Sequence, residues 1–147
     1  MYIIEKRISN LTIADIKEKD TYLFEKTINQ KDIDSFINTS YDISPLHVDD
    51  KFAQKRGFKG RVVHGIYLCT LISKIVGVNF PGENALIQSV NVKFISPVYI
   101  GETIRIKTTV EQISHAVATI VLGIIMTNIH DLKIVLKAKV QVGFTNV

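Results

Sequence analysis

The chain has 147 residues, 46% of them hydrophobic and 22% charged, with a formal net charge of +4. That length suits one domain, 1–147, and that balance excludes a disordered or fibrous chain. The mild basicity comes from interspersed lysines, and with no Trp and no aromatic string among basic residues it leaves no nucleic-acid footprint.

The opening residues, MYIIEKRISN, lack the long apolar stretch of a secretory signal, so no targeting segment is expected. The longest apolar run, IVLGIIM at 120–126, falls well short of the ~20 residues that span a bilayer. A single cysteine, Cys69 in GIYLCTLI, has apolar neighbours and reads as a buried, inert thiol. These features point to a cytoplasmic protein without membrane contact.

LFEKTI (23–28) has strand character, and NQKDIDSFINTS (29–40) reads as a short helix capped by Asn29 with Ile33, Phe36 and Ile37 on one face. Pro45 disfavours helix at Ser44 and brings no backbone donor, which predicts irregular chain from Thr39 to Pro45 and puts Asp42 and His47 on or beside a loop. Asp49 or Asp50 can cap a second short helix, KFAQKR, that stops at Gly57. From Lys51 to Arg61 the chain carries Lys51, Lys55, Arg56, Lys59 and Arg61 with no acid; this is either a solvated face or a contact for an anionic partner.

GIYLCTLISKIVG (65–77) is apolar nearly all round, broken by Thr70, Ser73 and Lys74, and predicts a helix buried on most sides. Four strand candidates follow. Asn84 to Pro97 sets Val90, Val92 and Phe94 against Asn91 and Lys93; Thr103 to Val110 sets Ile104 and Ile106 against Arg105 and Lys107. Residues 116–126 suit a central strand, and Ile134 to Val142 alternates again. Their short connections, SPVYIGE, EQISH and TNIHDL, predict an antiparallel meander. Such a sheet, apolar on one face, packs most economically by wrapping the apolar helix, an α+β domain.

The stretch DISPLHVDDKFAQKRGFKGRVVHGIYLCTLISKIVG resembles the MaoC-like dehydratases, or R-specific enoyl-CoA hydratases, whose fold is the hotdog. The likeness joins Asp-x-x-Pro-Leu-His-x-Asp, a short helix, Arg-x-Val-His-Gly before the central helix, the Phe80-Pro81-Gly82 turn, and VNVKFISPVYIGETI at 90–104. It covers nearly the whole chain and is weakest over the first twenty residues. It implies reversible addition of water to a trans-2-enoyl thioester, giving an (R)-3-hydroxyacyl thioester. The family's catalytic Asp and His fall on Asp42 and His47, and a carboxyl group and a neutral imidazole gripping one water can supply the base and the acid that hydration needs. The thioester enolate would be received by the backbone N–H of Gly65, which opens the apolar helix and has no side chain to block a carbonyl.

Ser73 matches a supporting family serine, although a hydroxyl inside an apolar helix also bonds the carbonyl four residues back. His64 reads as structural, fixing the start of that helix; His115 and His130 read as solvated. His47, Asp49 and His64 have the residue types of a metal site, but their spacing fits no zinc pattern and the family needs none. The implied cofactor is none beyond the coenzyme A or phosphopantetheine of the substrate, and Lys55, Arg56, Lys59 and Arg61 would meet its phosphates or an acidic carrier protein. Tyr41, Phe58 and Tyr67 are the candidates for the acyl channel.

Two positions depart from the family's Ser-Gly-Asp-x-Asn-Pro wording: Tyr41 stands for Gly, implying a changed backbone or a ring near the channel, and Ser44 for Asn, removing a donor near Asp42. They keep open a non-catalytic hotdog subunit or acyl-thioester binding module. A hotdog thioesterase is the weaker alternative, because no carboxylate lies between Gly65 and Gly77. The exposed sheet edge of the fold implies a homodimer or a higher homo-oligomer.

Overall fold

The structure, a computed structural model, describes residues 7–145. After a short 3-10 turn at Ile13–Asp15, the elements are β1 (Thr21–Thr27), α1 (Gln30–Ser40), α2 (Pro45–Val48), α3 (Asp50–Lys55), α4 (Gly65–Lys74), β2 (Ala85–Phe94), β3 (Thr103–Ser114), β4 (Thr119–Asn128) and β5 (Ile134–Phe144), with a π-helical turn over Ile75–Asn79. One antiparallel sheet has the order β1-β3-β4-β5-β2. Its inward residues, among them Ile104, Ile106, Leu122, Ile124, Leu136 and Val140, form one core cluster with Tyr67, Leu68, Leu71 and Ile72 of α4. The sheet is curled round that helix because both present their apolar surface to the same place.

Local signals hold well. The Asn29 side chain accepts from Asp32 N–H at 3.0 Å while Asp32 accepts from Asn29 N–H at 3.0 Å, a reciprocal box that starts α1. Asp49 accepts from Phe52 N–H at 3.0 Å and starts α3, and Gly57 follows with φ +91°.

Four expectations need correction. Helix α1 continues through Ser40, so the irregular segment is only 41–44, and Pro45 opens a helical turn instead of extending the loop; proline is at ease at a first helical position, where no N–H is needed. Helix α4 loosens into the π turn at Ile75 and carries on past Gly77. Residues 115–118 form the β3–β4 turn and β4 begins at Thr119; its run alternates buried and less buried positions, although it is central. Finally, only β3, β4 and β5 make the meander, while β2 crosses to the far edge and pairs with β5. The β2–β3 connection is held where it passes the start of α4, by Val63 N–H to Val98 O at 2.8 Å and a bridge between Val62 and Tyr99, and then against the end of β1, by Gly101 N–H to Ile28 O at 2.7 Å.

Edge placement also explains β2's burial. Val90, Val92 and Phe94 do share a face, paired with Val140, Ala138 and Leu136, but Val90 and Phe94 stay exposed. Alternation determines which side a residue faces; only the neighbours decide whether that side is covered.

Candidate active site

The site is built where the 41–44 segment and α2 meet the start of α4. Tyr41 ends α1 in the left-handed conformation, φ +59°, and this reversal sends the chain back so that Asp42 follows at once. Asp42 Oδ1 accepts from Ser44 N–H at 3.0 Å, and Asp42 N–H donates to Ser40 Oγ at 3.1 Å. Its carboxyl group is 42% exposed, open enough for a ligand to reach.

Pro45 starts α2, which lifts His47 beside it. His47 Nδ1 lies 2.7 Å from the Val62 carbonyl oxygen. A carbonyl only accepts, so Nδ1 is the donor, and in the neutral ring Nε2 keeps a free lone pair. Val62 N–H in turn donates to Leu46 O at 3.1 Å, which ties the VVHG segment to α2.

His64, the residue before α4, is 1% exposed. Its ring stacks on that of His47 with centroids 4.0 Å apart and 26° between planes, and Phe36 lies 4.8 Å away. Its Nε2 is 3.0 Å from the Asp42 carbonyl oxygen and 3.9 Å from Asp42 Oδ2. Burial, the largest influence, holds the His64 pKa below that of an ordinary histidine. One polar atom each from Asp42, His47 and His64 lie within 4.8 Å of one another. This trio replaces the His47, Asp49 and His64 set as the group of metal-ligand type, since Asp49 is spent on capping α3. Stacked imidazoles suit a metal poorly, because lone pairs lie in the ring planes and two near-parallel rings do not aim them at one point.

Gly65 is the first residue of α4, so its N–H belongs to the first-turn amides that have no intrahelical acceptor. A Cβ here would sit 2.8 Å from Cε1 of Phe94. His47, Phe58, Gly65, Ile66 and Phe94 line one pocket of about 360 Å³, whose walls include Val63, Leu68 and Val98. His47, Gly65 and an apolar chamber therefore share the same space, with the Asp42 carboxyl group near the imidazole.

The other expected residues fall into place unevenly. Phe58 lines the pocket, but Tyr67 does not: it is buried against Phe36, its hydroxyl bonds Asp32, and that burial drives its pKa far up. Tyr41 is 84% exposed and is not among the residues that line the pocket; its backbone adopts the positive φ that a glycine would have used, so the conformation stays and the residue strains. Ser44 holds Asp42 through its backbone, not its hydroxyl. Ser73 lies exposed, eight residues or about 12 Å along α4 from Gly65, and outside the pocket residues.

The basic run is largely engaged. Arg61 pairs with Asp50 at 3.5 Å, Arg56 lies 4.9 Å over the Phe52 ring, and Lys59 lies 5.8 Å over Tyr99; Lys55 is exposed. Lys59 and Arg61 face a hollow that also holds Asp50 and Glu102, which offsets their charge toward an anion. Cys69 is half-buried, and burial raises its pKa, in line with an inert thiol. His115 and His130 are exposed in turns. Among the described residues, no helix is long and apolar enough to cross a membrane.

Three contributors escaped the sequence: the Val62 carbonyl, the Phe94 ring, and the stacking face of His64. A backbone acceptor has no residue signature, and Phe94 arrives from an edge strand nearly thirty residues downstream.

Comparison with known proteins fits this geometry. The family model described as MaoC like domain matches residues 14–131. An (R)-specific enoyl-CoA hydratase of Rhodospirillum rubrum is 38% identical over 96 residues, 65% of this chain and 67% of that protein. A mitochondrial 3-hydroxyacyl-[acyl-carrier-protein] dehydratase of Arabidopsis thaliana is 36% identical over 60% of this chain and 52% of its own, so this chain spans about half of that relative. In structure, an unliganded R-hydratase of Pseudomonas aeruginosa superposes with a TM-score of 0.85 at 21% identity, covering 93% of this chain and 87% of the other. The fold is the hotdog fold of these R-hydratases.

Proposed function

Because the chain belongs to the MaoC-like domain family, we propose that it is a hydro-lyase, adding water reversibly to a trans-2-enoyl thioester to give an (R)-3-hydroxyacyl thioester. The observation that carries this reading is the pairing of Asp42 and His47: one carboxylate oxygen and one ring nitrogen lie within 4.8 Å, a span that one water could bridge with two hydrogen bonds of roughly 2.8 Å.

The steps follow from the groups present. His47, with Nδ1–H spent on Val62, takes a proton from the water at Nε2. Asp42, one oxygen fixed by Ser44 N–H, orients that water with the other. As the water oxygen bonds C3, the electron pair of the double bond moves through C2 to the thioester oxygen, and the Gly65 N–H stabilises the enolate. The imidazolium then returns the proton to C2. Dehydration is the same path reversed. The apolar pocket of about 360 Å³ beside Gly65 holds the start of the acyl chain. Both proton transfers are supplied by side chains, so the reaction needs no resident metal or organic cofactor, only the coenzyme A or phosphopantetheine of its thioester.

The proposed assembly is a homodimer formed along β2. This edge strand presents three exposed apolar side chains, Leu86, Val90 and Phe94, whereas the other edge, β1, presents one, Leu23, beside Glu25 and Lys26. An unpaired apolar edge is a template for a second copy. Sedimentation should give twice the 16.5 kDa of one chain, and Val90→Asp should shift it toward the monomer. The cytoplasm is the proposed setting.

The activity is tested by mixing the protein with crotonyl-CoA, and separately with crotonyl-acyl carrier protein, and following loss of the enoyl-thioester absorbance. Loss of absorbance on either carrier is expected. No turnover with either, across a series of chain lengths, would leave the non-catalytic binding module in its place.

A further inference from the structure

The reaction as derived uses Asp42, His47 and Gly65 but gives His64 nothing to do, although His64 is the group that touches all three. It precedes Gly65 in the chain, its Nε2 reaches the Asp42 carbonyl oxygen at 3.0 Å, and its ring lies 4.0 Å from that of His47. The carbonyl can only accept, so Nε2 bears the proton; Nδ1 is then bare, and it is buried without a hydrogen-bond partner. Leaving a buried acceptor unpaired is costly, and a leucine or phenylalanine would fill the same space without that cost. A histidine in this place needs a further reason.

We infer that His64 is the positioning residue of the acid–base pair: in ring contact with both Phe36 and His47, it sets the plane of the His47 ring, and its Nε2–H holds the Asp42 backbone at a fixed distance from that ring. This rests on the reading of Asp42 and His47 as the catalytic pair. The groups packed around His64 allow it to stay neutral. Asp42 faces it from the loop and His47 from α2, while Phe36 of α1 carries no charge and Tyr67 of α4 keeps its proton. A neutral ring can stack on His47 whether or not that base has taken a proton, since it adds no second positive charge beside it. An arginine or lysine of similar reach would repel the imidazolium formed in the first step.

Two variants separate the two contacts. His64→Phe keeps a ring for stacking and removes the donor; His64→Gln keeps an Nε2–H donor and removes the ring. Each, confirmed folded by its thermal melt, should lower kcat at least fivefold while KM changes less than threefold. A kcat above one fifth of the parent in either folded variant, or a loss confined to KM, overturns the inference. Nitrogen-15 imidazole spectra supply a readout that needs no turnover. In the unaltered protein His47 should be protonated at Nδ1, through its bond to Val62, and bare at Nε2, and His64 the reverse; in His64→Gln, which removes the stacked ring, the His47 ring should lose its fixed plane and its Nδ1–H should exchange faster with solvent. An unchanged His47 spectrum in that variant overturns the positioning role whatever the rates. If instead no enoyl thioester is turned over but the His47 Nδ1–H loses its protection in His64→Gln, the proposed reaction fails and the positioning role stands.

Discussion

The two ends of the segment 64–82 use glycine in opposite ways. At its start, Gly65 leaves an open surface: the amide is unspent, Ile66 beside it is 61% exposed, and the three atoms nearest the missing Cβ all belong to the Phe94 ring. At its finish, Gly82, φ +106°, has the backbone of Ser9 lying directly on it, locked by Ser9 N–H to Val78 O at 2.8 Å and Glu83 N–H to Ser9 O at 2.8 Å. One end spends its hydrogen bonds on the fold, and the other leaves its first-turn amide unspent. A residue type therefore says little about role until one knows what occupies the space its side chain would have filled.

The largest effect belongs to the open end. Asp42→Asn and His47→Ala should each lower kcat by roughly 10²–10⁴ with the melting temperature nearly unchanged, since neither side chain belongs to the core. Near-parent rates in either would remove the pair from the mechanism. Next, Gly82→Ala should cost about 3 kcal/mol of stability or more, because backbone atoms of Ser9 cannot yield as a side-chain tip would and the φ is unfavourable for alanine. Activity per folded molecule should hold. A chemical denaturation midpoint equal to the parent's would show that the N-terminal segment is not locked here.

Gly65→Ala should invert that pattern. The crowding atoms belong to a side-chain ring, which can shift where backbone cannot, so stability should change by about 1 kcal/mol or less, while the displaced ring and the new methyl narrow the approach to the amide and lower kcat roughly tenfold. A loss in stability larger than the loss in rate would make this glycine structural, like Gly82. Acid should probe the same end. His64 has its pKa depressed in the fold, so between that value and about 6.5 the unfolded chain binds more protons. Stability must then fall as pH drops below about 6.5, and His64→Gln should flatten that slope; equal slopes would mean His64 is not buried neutral. The smallest effect is Tyr41→Gly. Relief of the left-handed strain, about 1–2 kcal/mol, is partly cancelled by the freer unfolded chain, leaving a net gain of about 0.5 kcal/mol in denaturant titration.

Much of the fold was legible in the sequence. Asn29 and Asp49 announce helix starts, and the apolar sides of β3 and β5 appear as strict alternation. The candidate pair was legible as well, because Pro45 interrupts any periodic reason for Asp42 and His47, and because the surrounding wording resembles a known family. Less legible was the company those residues keep. Tyr67 belongs to the same apolar helix as Leu68, and the 100° turn between successive helical residues sends one toward Asp32 and the other to the pocket. Lys59 and Arg61 form a basic run on paper, yet the chain returns Asp50 and Glu102 to the same hollow.

By itself, then, the sequence determined the local elements, their apolar faces and the chemistry available in the DISPLHVD loop, all of which depend on neighbours a few residues away. Only the tertiary structure decided that β2 sits at the far edge, that Phe94 from that strand covers Gly65, and that His64 lies against both Asp42 and His47. These are contacts between segments distant in the chain, and no period or turn signal encodes which element comes to rest against which. They follow from closing one apolar sheet around one apolar helix, a solution that exists only once all the elements are present.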